Sequence, residues 1–217
     1  MDKQNAIIIG MPTTPCQFNL DFVDDETKAG QTLLSHRAAI RCDLVEHPSR
    51  NQILATLPHQ QIVHFACHGV PSEIPLKSSL LLKDWQEKSL MVADIIALNI
   101  NSAVFAYLSA CHTSRIKNSK LLDESINISS SIQLSGYPSV VSTLWRVLDE
   151  ESVAVAKSVY AYMLRKGTGG RLNAEQAAEA LHWTIREVRD KTRKIPGLRR
   201  TVHSDPLIWA PYIHIGA

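Results

Sequence analysis

The sequence predicts an α/β fold in three layers, a mostly parallel sheet with helices on both faces. Three observations lead there. Apolar runs and helical patterns alternate along the chain. The runs are continuous and rich in β-branched residues, as in strands buried on both faces. No internal repeat, low-complexity stretch or linker divides the 217 residues, a length that suits one domain with a sizeable core.

The elements follow in order. Residues 5–11 (NAIIIGM) read as a buried strand, closed by Pro12 and Pro15. Residues 21–35 form a helical pattern with acids at its start. Residues 40–46 are a second strand, and Pro48-Ser49-x-x-Gln52 looks like a capping box opening a helix that ends near Pro58. Residues 61–67 (QIVHFAC) are a third strand, stopped by His68-Gly69. A short hairpin-like piece at 80–82 and a short helix at 92–98 precede the fourth strand, 103–109 (AVFAYLS), stopped at Ala110-Cys111. A polar, basic loop leads to a helix at 121–134, ended by Gly136, and to a fifth strand at 138–144 (PSVVSTL). Two long helices, 149–166 and 173–193, flank a glycine-rich break; Asn173 opens the second, with Gln176 three residues on. Residues 207–215 read as the final strand.

Composition narrows the function classes. Apolar residues make up 45% of the chain and charged residues 20%, an ordinary globular balance. A net charge of +2 is too mild to argue for nucleic acid or a membrane surface. The basic cluster at 191–194 with Arg199-Arg200 lacks interleaved aromatics and reads as a solvated helix end. No apolar stretch reaches 18 residues, so no membrane span is expected. The first strand begins almost at Met1 with no leader signature before it, and Cys16, Cys42, Cys67 and Cys111 form no C-x-x-C pair. The expectation is a reduced, cytoplasmic protein. Neither G-x-G-x-x-G nor a P-loop occurs, and no cofactor is expected.

Ligands of open α/β sheets bind beyond the carboxyl ends of the strands. His68 ends the third strand and Cys111 the fourth. If those strands are neighbours, the two ends lie about 5 Å apart, within side-chain reach. A cysteine is a strong nucleophile only as the thiolate, and a nearby imidazole can take its proton and pass it to a leaving amine. Gly69 adds no bulk beside the reacting carbonyl, and its N–H with that of Cys111 could hold an oxyanion. The plainer reading of a cysteine after an apolar strand is packing; the matching histidine at a second strand end moves the argument to catalysis.

Other constellations read more simply. Neighbours in extended chain face opposite ways, so Cys67-His68 and Cys111-His112 would not converge, and no metal site is expected. His64 and His68 would stand about 13 Å apart on a strand. His64 is therefore expected to be a core residue and His112 a loop residue. Cys67 is expected to pack on the opposite face, and Ser109 to fill space or, less simply, to orient the loop.

The residues also match a family. HFACHG (64–69), YLSACHT (107–113), GYPSVVSTLW (136–145), RVLD (146–149) and WAPYIHIG (209–216) occur in that order. Together they resemble a CHAT domain, of the caspase–separase–gingipain group of cysteine peptidases, over residues 5–216. The resemblance implies a caspase-like fold with a largely parallel six-stranded sheet. It implies a His–Cys dyad at His68 and Cys111, and endopeptidase activity with a narrow choice of residue before the cut. Substrates would be proteins or peptides. Asp149 resembles a separase acid that lines a pocket for arginine, where a carboxylate would grip a basic side chain. The same residue would also cap the helix beginning at Glu150, the simpler role. Arg115, Lys117 and Lys120 fall where caspases are cut in maturation, although a solvated loop accounts for them. Residues 1–217 would be a single CHAT domain lacking the usual upstream part. Its partner would be a TPR or NTPase-type sensor, and its context defence or cell-death signalling. A catalytically silent interaction module with the same fold is the alternative.

Overall fold

The computed structural model describes residues 3–112, 128–145, 147, 150–190 and 205–216, with backbone alone at 75, 110–112 and 150. Strand β1 (Gln4–Gly10) leads through a long loop to helix α1 (Val23–Ser35) and strand β2 (Ile40–Glu46). Helix α2 (Arg50–Thr56) starts where Ser49 Oγ accepts the Gln52 amide at 3.3 Å, at the predicted cap. Strand β3 (Ile62–Val70) follows, then two short strands, β4 (Ser79–Leu81) and β5 (Leu90–Met91), and helix α3 (Val92–Ile96). Strand β6 (Phe105–His112), helix α4 (Ile128–Leu134) and strand β7 (Ser139–Thr143) come next. Helices α5 (Glu150–Lys166) and α6 (Ala177–Asp190), the short helix α7 (Pro206–Trp209) and strand β8 (Tyr212–Gly216) complete the described chain.

The sheet runs β2-β1-β3-β6-β7-β8. Its first five strands are parallel and β8 is antiparallel to β7. Successive side chains leave a strand on opposite faces, and two apolar cores result. Ile7, Ile9, Val63, Phe65, Ala106 and Leu108 pack with Ile53 of α2, Ile95 of α3 and Ile132 of α4. On the other face Ala6, Ile8, Ile62, Phe105 and Tyr107 pack with Leu34 of α1, Tyr160 of α5 and Leu181 of α6. This is the three-layer α/β arrangement with a mostly parallel sheet that the alternating pattern predicts.

Boundaries differ from the sequence reading at several places, among them the ends of β3 and β6 and the start of β8. His68-Gly69 does not stop β3. Strand β1 ends at Gly10, opposite Ala66, and β4 takes over that edge antiparallel, pairing Leu81 with His68 and Ser79 with Val70. With both edges paired, the ladder runs on to Val70. Likewise β6 runs through Cys111 to His112 because β3 pairs it over that whole length. The expected strand over 207–215 starts only at Tyr212. Residues 206–209 form a helical turn instead: Pro206 sits in its first turn and Asp205 Oδ1 accepts the Leu207 amide at 2.9 Å.

Candidate active site

The register between the two central strands brings the sequence candidates together. On β3 and β6, His64 lies opposite Tyr107, Ala66 opposite Ser109, and His68 opposite Cys111. Parallel strands stand about 4.8 Å apart, so the His68 and Cys111 positions are immediate neighbours near the carboxyl ends. Cys67 and Phe65 belong to the α2–α4 core, whereas Phe105 and Tyr107 belong to the α1–α5–α6 core. Strand alternation therefore assigns positions 68 and 111 to the same face, that of α1 and α5. Gly69 lies in the ladder between Leu80 and His112.

The loop after β1 arches over this end of the sheet. The His68 ring donates from Nε2 to the Phe18 carbonyl at 2.9 Å, and the Phe18 ring meets it edge-on with centroids 4.5 Å apart. A donor at Nε2 leaves the lone pair of a neutral imidazole at Nδ1. His68 is only 1% exposed, whereas Phe18 is half-exposed. The loop is braced from within by Leu20 N–H to Pro12 O at 2.9 Å. It is braced from outside by Trp85 Nε1 to Pro15 O at 2.9 Å, so the segment between β4 and β5 supports it. Leu20 and Val23 close a small core over Ala66.

Beneath His68 lies a buried polar group of residues. Glu26 of α1 is 2% exposed; its Oε1 accepts from His64 Nε2 at 3.1 Å and its Oε2 from Ser109 Oγ at 3.0 Å. His64 is thus a core residue, as expected, and also a hydrogen-bonded one. Ser109 does more than fill space. The Tyr107 ring packs at a tilt against His64, with centroids 4.7 Å apart, and against Tyr160 at 5.8 Å. Burial above all pushes both phenols well above their ordinary value, so both remain protonated at neutral pH.

Of the remaining candidates, Cys67 packs in the α2–α4 core as expected. Asp149, Arg115, Lys117, Lys120 and the basic cluster at 191–200 lie outside the described residues. Sequence reasoning missed Phe18 and Glu26. A backbone carbonyl leaves no mark in a sequence. Glu26 did leave one, since it falls within the buried stripe Val23, Thr27, Gly30 and Leu34 of α1. A carboxylate inside such a stripe demands partners.

A family model described as the CHAT domain matches residues 1–217. The chain belongs to the CHAT domain family. Its fold agrees with solved cysteine peptidases. Caspase-1 of Spodoptera frugiperda superimposes with a TM-score of 0.56 at 9% identity, over 99% of this CHAT domain and 88% of the caspase chain. The Arg-specific cysteine proteinase gingipain R gives 0.55 at 9% identity, over 86% of this domain and 43% of that chain. A chain of the Saccharomyces cerevisiae separase–securin complex gives 0.53 at 16% identity, over 85% and 10%. Identities this low speak for the fold alone. The domain spans under half of the gingipain chain and a tenth of the separase one. No curated protein matches the sequence. Among the described residues no helix is long and apolar enough to cross a membrane.

Proposed function

We propose that this CHAT domain is a cysteine endopeptidase working through a His68–Cys111 dyad. The observation that carries the reading is the β3–β6 register, in which His68 faces Cys111 across neighbouring strands. The Phe18 carbonyl, 2.9 Å from Nε2, supplies the third group that orients a catalytic base. With Nε2–H so held, Nδ1 takes the Cys111 proton as the sulfur attacks the scissile carbonyl. The amides of Gly69 and Cys111 stabilise the oxyanion. The protonated imidazole then gives its proton to the leaving amine, and a thioester remains. Water, deprotonated by His68, hydrolyses that thioester and restores the thiol.

Substrates are proteins or peptides. Asp149 is the proposed partner of a basic residue before the cut, unless its carboxylate is spent capping α5. The role is that of a proteolytic effector in a defence or cell-death system, released by a TPR or NTPase-type sensor. A structural neighbour, separase, is itself complexed with a protein, securin.

A second reading has an observation of its own. His68 is almost fully covered, with the Phe18 ring over it, which favours a silent module that keeps the fold for docking. A peptide-library cleavage assay separates the two. The peptidase reading expects cleavage by the wild type and a loss of at least about a thousandfold in Cys111→Ala and in His68→Ala. Equal cleavage by wild type and Cys111→Ala removes the dyad; no cleavage by the wild type with its sensor present favours the docking module. The residue preferred before the cut tests Asp149.

A further inference from the structure

We propose that Glu26 is a positioning residue that holds the His68 and Cys111 strands in register beneath the dyad. The inference rests on the peptidase reading and goes beyond the dyad itself. A carboxyl group that is 2% exposed is costly to bury unless both oxygens are hydrogen-bonded. Glu26 uses one oxygen for each catalytic strand. Oε1 takes His64 Nε2 on β3 at 3.1 Å, and Oε2 takes Ser109 Oγ on β6 at 3.0 Å.

The positions of these two partners matter. On one face of β3, His64 and His68 are separated by Ala66 alone, and Ser109 immediately precedes Cys111 on its face. The ties therefore sit about 13 Å and about 7 Å down the strands from the reacting positions. One side chain thus anchors the strand of the base and the strand of the nucleophile. Gly30, one turn further along α1, permits the close approach. A Cβ there would come within 3.1 Å of Ile8 Cδ1 and 3.7 Å of His64 Nδ1.

The competing explanation is that the Glu26 cluster only stabilises the fold. The two differ in what folded molecules do. A dyad tolerates misplacement of about 0.5 Å, and about 1 Å costs on the order of a hundredfold. A purely structural cluster would lower stability and leave the reactivity of Cys111 in folded molecules unchanged.

The test measures the iodoacetamide alkylation rate of Cys111 at pH 6, relative to the exposed Cys16 of the same molecule, by peptide mass mapping. It is run on full-length protein at a temperature where circular dichroism shows each variant folded. In the wild type Cys111 should react at least about tenfold faster than Cys16, because an ordinary thiol is almost wholly protonated at that pH. Glu26→Leu should bring the ratio down about tenfold. Glu26→Gln should recover it to within about threefold, since the amide oxygen can accept from His64 and the amide nitrogen can donate to Ser109. Ser109→Ala, which removes one tie and little volume, should fall between and serves if Glu26→Leu does not fold. A wild-type ratio near one overturns the dyad and with it this proposal. A high wild-type ratio that Ser109→Ala and Glu26→Leu leave unchanged overturns the role of Glu26 and leaves the dyad standing.

Discussion

Individual residues in this domain are constrained by backbone approach as much as by chemistry. Gly136 shows it. It follows α4 with a φ of +122°, a conformation that side chains rarely adopt, and an added Cβ would overlap the Ile100 carbonyl. The neighbouring Ile100 amide donates to Ser135 O at 2.7 Å, so the two segments cannot part without losing that bond. Gly136→Ala should cost about 2 kcal/mol or more, read as a lower urea midpoint with an unchanged slope. Cysteine chemistry is set at this scale too. Burial, with Asp43 adding to it, pushes the Cys42 thiol up to about 12, so it stays a thiol at neutral pH. Cys16 is exposed, which makes it a usable internal reference for Cys111.

Elements are joined by a few polar ties laid between the apolar contacts. Helices α2 and α3 lie on the same side of the sheet. Arg50 of α2 meets Asp94 of α3 through two bonds, Nη2–Oδ1 at 2.6 Å and Nε–Oδ2 at 3.1 Å. The same carboxylate accepts the Met91 amide at 2.9 Å and so caps α3, while Asp84 accepts the Arg50 amide at 2.9 Å. The side chains of Arg50 and Asp94 are only 10% and 18% exposed. Removing Asp94 leaves a largely buried guanidinium with only the neutral Asn51 Oδ1, 3.4 Å from Nη1, to accept from it. Asp94→Ala should therefore destabilise by about 3 kcal/mol, at the low end for a buried pair because some water still reaches both groups. Equilibrium urea unfolding measures it; a loss within about 0.5 kcal/mol would make the tie incidental.

At the scale of the molecule, β8 closes the sheet against β7, and its histidine couples that closure to pH. His214 Nε2 lies 2.9 Å from Ser139 Oγ, and burial holds its imidazole below the usual 6.5. The unfolded chain takes up this proton near pH 6.5, before the folded one does. Between those two values the unfolded state binds more protons, so stability falls as pH falls. Above 6.5 both states are neutral and the effect is absent. His214→Gln should flatten the drop in urea midpoint between pH 7.5 and 5.5 relative to the wild type; equal drops would assign the slope to other groups.

Strand and helix order was legible in the sequence because burial on both faces writes itself as continuous apolar runs, as in residues 5–11 and 61–67. The candidacy of His68 and Cys111 was legible for a related reason. Each stands where an apolar run ends, and in a parallel sheet those ends share one side. The limits of the strands were less so. His68-Gly69 reads as a stop, and only β4, arriving from further along the chain, extends β3 to Val70. Residues 207–209 read as strand by their apolar content, and a local cap by Asp205 made them helix. What the sequence determined, then, was the layered α/β fold and the two residue types brought to the strand ends. What only tertiary structure decided was the register that sets His68 opposite Cys111, the Phe18 carbonyl on the ring, and Glu26 between the two strands. Periodicity reports which face a side chain takes, whereas register and carbonyl positions depend on segments distant in sequence that no local pattern encodes.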